Sequence, residues 1–413
     1  MGNAQVSERP YPWDQMNETT MTANEELPTG RLLFMGILGA LMAFTSLSTD
    51  IYLPAMPEMA KDLGGNAELT ITGFLAGFAI AQLVWGPISD GIGRKKPLFL
   101  GMLVFAVGAA GCALSRSIGE IVFWRVVQAT GACTGPMLAR AMIRDLYSQT
   151  RAAQMLFTLM IIMAIAPIIG PLLGGQIVRV GSWHDIFWML TAIGLLMFVS
   201  LFRLPETLPQ ERRGRASIGN AFVNYGLLLK DRAFMRYTLC LTFYYVAAYA
   251  FIAGSPRIYI SYFGIDPQHY GWLFSLNILG VMAISFANRE LVRRVPLHRL
   301  LQVATTVALL AMLVMAAMVR AELGGIVVIV AMVFLFFSMN GIVAATATAA
   351  ALDRVPHMAG AASALIGAMQ YGSGIVSSLL LAWLSRGTPW TMAWIMLAFT
   401  AVAFGMILGK TPR

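Results

Sequence analysis

The sequence predicts an all-helical membrane protein of twelve spans in two six-helix halves, and three observations lead there. First, 58% of its 413 residues are hydrophobic and only 12% are charged, whereas soluble domains run at roughly 45 to 50% apolar and about 25% charged. A water-soluble globular protein is excluded, because that much apolar surface has no interior to enter. Second, the apolar residues lie in unbroken runs such as Ile326 to Phe337. Barrel strands alternate instead, so helices must satisfy the backbone in lipid. Third, the longest hydrophilic break, Pro205 to Ala233, separates stretches 31–204 and 234–409, of 174 and 176 residues.

In chain order, residues 1–30 are polar, carry five acids against Arg9 and lack the basic-then-apolar pattern of a cleaved leader. They read as a disordered cytoplasmic tail. Apolar segments near the ~20 residues that cross a bilayer then recur. They fall at 31–55, 68–89, 97–115, 119–143, 152–179 and 184–203 in the first half, and at 234–262, 269–292, 298–319, 324–351, 358–384 and 389–409 in the second. Residues 205–233 form a cytoplasmic linker. With both termini in the cytoplasm, 22 of the 29 Lys and Arg residues fall on inner segments. Lys61, Arg116, Arg179, Arg257, Arg320 and Arg386 fall outside, and Arg125 lies within a span. This positive-inside bias sets the orientation. It also accounts for the net charge of +9 without a nucleic-acid partner. The basic turn Arg94-Lys95-Lys96 after the second span is matched by Arg293-Arg294 after the eighth. Repeated six-span halves are a transporter signature, with the substrate site between them near mid-membrane.

Metal and cofactor chemistry find no support. Cys112, Cys133 and Cys240 sit in apolar runs, and His184, His269, His298 and His357 at the ends of apolar segments. Neither set has a ligand spacing, so the first read as packing residues and the second as solvated loop residues. Two charges inside spans stand apart. Asp50 interrupts a run of Leu, Met, Phe, Ala, Ser and Thr; a carboxylate there is expensive unless it pairs, faces water or takes up a proton. It is the natural proton carrier, the rival reading being a solvated cap at the outer surface before Pro54. Arg125 cannot lose its proton and needs an acidic or carbonyl partner. Near Asp50 it would keep the carboxylate ionised; the rival reading is structural pairing alone.

Six motifs join these residues. Gly86-Pro87-Ile88-Ser89-Asp90-Gly91-Ile92-Gly93-Arg94-Lys95-Lys96 ends the second span with a tight turn and three bases, and it resembles the cytoplasmic-loop motif of the major facilitator superfamily, in which Asp and Arg latch the two halves. Arg125-Val-Val-Gln128-Ala-Thr-Gly131 resembles that superfamily's fourth-helix motif, whose arginine is implicated in proton coupling. Ala166-Pro167-Ile-Ile-Gly170-Pro171-Leu-Leu-Gly174-Gly175 resembles the fifth-helix motif of proton-driven exporters. Its prolines remove backbone donors and its glycines allow close helix approach. Thr49-Asp50-Ile51-Tyr52-Leu53-Pro54-Ala55-Met56-Pro57, Ser182-Trp183-His184-Asp185-Ile186-Phe187 and Pro356-His357-Met358-Ala359-Gly360 look like the Bcr/CflA family of drug/proton antiporters. Gly91 stands where an Arg often follows the loop-motif Asp, Ala129 where a Gly is frequent, and Met42 where some drug antiporters carry a second acid. Proton coupling would therefore rest on Asp50.

The resemblance implies a major facilitator fold in the bacterial cytoplasmic membrane, working as a monomer among lipid with protons and a small molecule as its partners. No cofactor is expected beyond the proton gradient. Candidate substrate contacts are Tyr52, the aromatics Tyr244, Tyr245 and Tyr249 of the seventh span, and the mid-span amides Asn277, Asn340 and Gln370. Packing and helix-to-helix hydrogen bonding are the plainer readings of both groups. Arg257 reads as an interfacial anchor or outer-gate residue. The function expected is export of drug-like amphipathic molecules in exchange for protons. The alternative is a proton-coupled uptake symporter, or an exporter of a metabolite such as a nucleoside, sugar or amino acid. A membrane enzyme would show clustered nucleophiles and acids, and a sensor an attached soluble domain; the sequence has neither.

Overall fold

The computed structural model describes residues 28–147, 149–214, 218–384 and 387–408. The tail up to residue 27, Arg215 and Arg386 lie outside the described residues. The first span is discontinuous: α1 (Pro28–Asp50), a 3-10 turn (Leu53–Ala55) and α2 (Met56–Leu63). Prolines set the break. Pro54 has no N–H for the carbonyl of Asp50, so α1 ends there, and Pro57 sits in the first turn of α2, where a missing donor costs nothing. The span predicted at 31–55 therefore runs on to Leu63.

The first half continues with α3 (Glu68–Ile92), α4 (Lys95–Leu114), α5 (Ile118–Ala132), α6 (Thr134–Leu146), α7 (Gln149–Val180) and α8 (Trp183–Ser200). The linker holds 3-10 turns and α9 (Ile218–Lys230). The second half contains α10 (Arg232–Pro256), a π-helical turn (Arg257–Tyr262), α11 (Pro267–Arg294), α12 (Leu297–Arg320), α13 (Gly325–Leu352), α14 (Ala359–Leu384) and α15 (Pro389–Leu408). Eleven helices among the described residues are long and apolar enough to cross a membrane. The fourth predicted span, 119–143, instead comprises α5 and α6, of 15 and 13 residues, meeting at Cys133. Cys133 keeps helical dihedrals (φ −59°, ψ −30°), so the axis is little disturbed.

Within the first half α4 packs on α5 and α8, α5 on α3, and α7 on α1; in the second, α12 packs on α13 and α15, and α10 on α14 and α15. Two seams join the halves, α3 with α14 and α7 with α11. The second seam rests on small residues. A Cβ on Gly175 would lie 2.6 Å from the Pro267 carbonyl oxygen, and one on Gly271 would lie 2.8 Å from the backbone N of Leu172. Only glycine lets the backbones approach this closely. Pro167 and Pro171 lie inside α7, which stays helical through both. At the start of α8, Ser182 N–H donates to Asp185 Oδ2 (2.7 Å) and Trp183 Nε1 to Asp62 Oδ2 (3.1 Å). That segment thus caps a helix and ties it to α2.

Candidate functional site

Asp50 is 7% exposed and ends α1 at the break in the first span, with α2 still ahead of it. It is not a solvated cap at a membrane surface. Gly170 of α7 lies against it: a Cβ there would be 3.5 Å from Asp50 Cβ, and a Cβ on Gly174 would overlap the Ile51 carbonyl oxygen. The glycine face of the fifth-helix motif therefore seats α7 on the broken helix as well as on α11. Arg125 in the first half, and Tyr249, Tyr270 and Tyr371 in the second, lie within electrostatic reach of the Asp50 carboxylate.

Arg125 is fully buried, yet it forms no ion pair among the described residues. Nη1 donates to the Ser48 carbonyl (3.1 Å) and to Gln128 Oε1 (2.7 Å), while Nε and Nη2 have no hydrogen-bond partner. The guanidinium is 4.3 Å from the ring centroids of both Tyr52 and Phe74. An Asp50–Arg125 ion pair, the arrangement the sequence suggests, is not formed. Ser48 belongs to the last turn of α1, whose carbonyls lack intrahelical partners and carry the negative end of the helix dipole. That carbonyl and the aromatic faces hold the cation instead.

Tyr52, completely buried, bonds Thr70 (3.1 Å) and belongs to this ring cage. Tyr244 donates to the Phe336 carbonyl and stacks on its ring at 4.5 Å, which is packing within the second half. Asn277 donates to Leu273 O (3.3 Å) and stays apart from the tyrosines, with Oδ1 unpartnered. The remaining candidates do come together. Asn340 Nδ2 donates to the Tyr245 hydroxyl (3.3 Å), Gln370 lies beside the same group, and the Tyr249 ring is 6.1 Å from that of Tyr245. Phe78 of α3 meets Tyr371 at 4.2 Å, and Gln82 lies against Gly367, so both halves contribute to this cluster.

At the end of the bundle that bears the linker, Arg94 bonds Asp90 (2.5 Å), Ser89 (2.8 Å) and Asp145 (2.9 Å). Glu206 accepts from the backbone N–H groups of Arg94 (2.9 Å), Lys95 (3.1 Å) and Leu208 (3.0 Å) and faces Arg213 at 3.8 Å. Partial burial pushes the Glu206 carboxyl upward, but these donors and Arg213 outweigh it and hold the group below its usual value. Gly93 turns the chain here with φ +98°, and a Cβ on it would meet Glu206. Gly86 accepts from Ser89 Oγ (2.8 Å). The expected latch thus joins Arg94 to its own half and to the linker rather than to the second half. Among the described residues, polar contacts between the halves cluster at the opposite end: Arg257 Nη1–Glu68 Oε1 (3.3 Å) and Asn66 Nδ2 to Ala382 O (2.8 Å). Arg257 is therefore part of a closure.

Sequence reasoning missed Asp145 and Glu206, distant in sequence from the Arg94 that gathers them, and Arg140. Arg140 lies inside the fourth predicted span, as Arg125 does, but near its inner end, where a positive charge is expected on topological grounds. No group of metal-ligating residues occurs among the described residues, and all three cysteines are buried and free.

Residues 38–378 match the Major Facilitator Superfamily. The chain belongs to that superfamily. It is 35% identical over 394 residues to an uncharacterized MFS-type transporter, YdgK, of Bacillus subtilis, covering 94% of this chain and 98% of that one. It is 30% identical over 375 residues to a bicyclomycin resistance protein homolog of Haemophilus influenzae, covering 90% and 94%. Its fold matches a partially occluded, inward-open structure of the xylose transporter XylE from E. coli with TM-score 0.71 over 92% of this chain and 98% of that one, at 12% identity. As a superfamily member the chain is a multi-pass membrane transporter and not an enzyme.

Proposed function

We propose that this transporter exports drug-like amphipathic molecules in exchange for protons, with Asp50 as the proton carrier. The supporting observation is the placement of Asp50: a buried carboxylate without an ion-pair partner, at a helix break, beside the seams between the halves. Discontinuous spans at mid-membrane are where such transporters bind their ions and substrates. The resistance name carried by the Haemophilus relative favours a drug-like cargo. In this reading α5 and α6 form one span, giving twelve, and the linker end with both termini faces the cytoplasm of a bacterial inner membrane. The chain works as a monomer and needs no cofactor. Asp50 loads a proton when the halves open outward. Rocking to the other state brings it to the cytoplasmic side, where substrate binding to the Tyr245, Tyr249, Asn340 and Gln370 cluster expels the proton. Arg125 stays charged throughout and holds the end of α1 in register. Exchanging one proton for a neutral substrate is electrogenic, each charge contributing about 2.3 kcal/mol per 100 mV.

The test is Asp50→Asn in proteoliposomes with an imposed proton gradient. Uphill transport should vanish while downhill substrate exchange persists; uphill transport at the wild-type rate would sink the proposal. Proton release on substrate binding in detergent supports exchange, whereas proton uptake would favour the symport reading.

A further inference from the structure

We infer that an acyl chain of a membrane lipid seats in a groove between α11 and α13, at the end opposite the linker, and braces the seam where α11 meets α7. This holds whatever the cargo is and does not rest on the role of Asp50.

α11 and α13 both start at that end and run side by side toward the linker end. In their later turns they pack closely. A Cβ on Gly280 would lie 2.8 Å from the Phe334 ring, one on Gly341 would lie 2.7 Å from the Val281 carbonyl oxygen, and Asn288 Nδ2 donates to Gly341 O (3.4 Å). Small residues make that approach possible. In their first turns the helices part around a groove of about 430 Å³, lined by Leu273 and Leu276 of α11 and by Val327, Val330, Ala331 and Phe334 of α13. From Val327 to Phe334 the wall runs about 10 Å along the axis, much of the ~15 Å hydrocarbon depth of one leaflet. Phe334, set against Gly280, closes the deep end.

The walls decide the occupant. Every residue lining the groove is apolar, so water, which needs polar partners, does not fill it. Left empty, the walls would forfeit their dispersion contacts on that side. Both helices are long and apolar enough to cross a membrane, and Leu276 and Val327 are exposed, so the groove opens onto hydrocarbon. The tail of a lipid in that leaflet is apolar, flexible and always at hand.

The position of the groove gives the consequence. The residues of α11 that meet α7 share one face: Pro267 against Gly175, Gly271 against Leu172, and Ser275 Oγ donating to the Ile168 carbonyl (3.4 Å). At about 100° per residue, Leu276 and Leu273 lie about 140° and 200° around the helix from Gly271. The groove is therefore behind the seam. For the halves to part at this end the first turns of α11 must leave α7, and the groove is the space at their back. A chain that fills it holds α11 on α7, because it binds that arrangement better than one in which the groove has narrowed.

The probe is a phosphatidylethanolamine carrying a diazirine midway along one acyl chain, in liposomes that hold the full chain. Photo-cross-links on residues 273–276 and 327–331 should be at least about fivefold denser than on the exposed face of α4 that bears Leu100, Leu103 and Val107. Ala331→Trp, which fills the groove with a fixed ring, should remove the excess. Equal density in wild type would mean ordinary bilayer contact and overturns the inference. Disulfide-linked copies of Val327→Cys in place of lipid cross-links would give the groove to a second copy and overturn it too. The bracing is read from spin labels on Lys61→Cys and Tyr262→Cys, both exposed, on segments of the two halves that pack together at this end. Adding the unlabelled lipid to delipidated protein in detergent should lower the long-distance population about threefold. With Ala331→Trp that population should be low from the start and unresponsive to lipid; an equal lipid effect in both proteins overturns the bracing. If Ala331→Trp does not fold, Val330→Phe, a smaller filling of the same groove, takes its place. In Asp50→Asn both results should persist, so this inference and the coupling proposal fail separately.

Discussion

In the first half, Asp50, Glu68, Arg94 and Arg125 are buried; in the second, the buried polar side chains among the described residues are Ser, Thr and Asn. Buried charge thus lies on one side of the seam, and neutral hydroxyls and amides on the other. Charge in a low-dielectric interior responds to small changes in water access, whereas a hydroxyl responds mainly to a partner's shape. In the proposed exchange, the first half couples to protons and the second holds the ligand.

The strongest way to break that division is to exchange its members. Asp50→Asn should lower uphill transport by about a hundredfold or more, because a side chain that cannot titrate cannot carry a proton. Tyr245→Phe or Asn340→Ala should leave coupling intact and weaken substrate binding by about tenfold at most, the worth of a neutral hydrogen bond. Substrate-driven proton flux and substrate affinity, measured on the same preparations, separate the two. If Tyr245→Phe uncoupled the protein while Asp50→Asn did not, the assignment of roles would be reversed.

Arg125 gives the next largest effect. Arg125→Met removes a buried charge that already lacks two hydrogen bonds, so it should change unfolding stability in detergent by less than about 2 kcal/mol, in either direction. Transport should nevertheless fall by about tenfold or more, since the end of α1 beside Asp50 loses the cation that holds it. Arg125→Lys should not rescue it, because an ammonium cannot lie flat between Tyr52 and Phe74. A stable, fully active Arg125→Met would make the residue purely structural.

What the sequence disclosed follows the range of the interactions involved. The lone carboxylate at Asp50, the prolines that end α1, and the Asp90–Arg94 pair are local features and could be read directly. The partners of Arg94 could not: Asp145 on α6 and Glu206 beyond α8 reach it only once the first half has folded. For Arg125 the sequence allows an acidic or a carbonyl partner; that the partner is the Ser48 carbonyl, with the Tyr52 and Phe74 rings beside it, is not visible in one dimension. The sequence ends the first span at residue 55, before the charged Glu58, Lys61 and Asp62, whereas α2 carries it on to Leu63. Tyr52 and Tyr244 resembled Tyr245 and Tyr249 by composition, and only packing showed that they face inward within their own halves.

The linker-end network gives a smaller, pH-dependent effect. Because the Glu206 carboxyl is held below its usual value of about 4.5, its ionised form stabilises the fold at pH above that value. That contribution declines as pH falls through the lower folded value. Glu206→Gln should therefore unfold at a lower temperature than wild type at neutral pH, and the gap should close as the pH drops below about 4.5. A gap independent of pH would mean that shape, not charge, holds the linker to Arg94.

The smallest effect belongs to the pair that joins the two halves. Glu68 is nearly buried and Arg257 is 41% exposed at its side chain, so water screens one partner and the pair adds only about 0 to 1 kcal/mol. It exists only while that end is closed, so all of its energy biases the equilibrium between closed and open states. Arg257→Ala should raise the open population by no more than about fivefold. A Tyr249→Cys reporter, labelled by an impermeant thiol reagent from the Arg257 end, measures this against a low background, since the native cysteines are buried. Glu68→Gln should give a similar rise, and the double variant no more than the larger single one. Additive effects would show that the two residues act separately, leaving the Asn66 contact and the glycine seam of α7 and α11 to close that end.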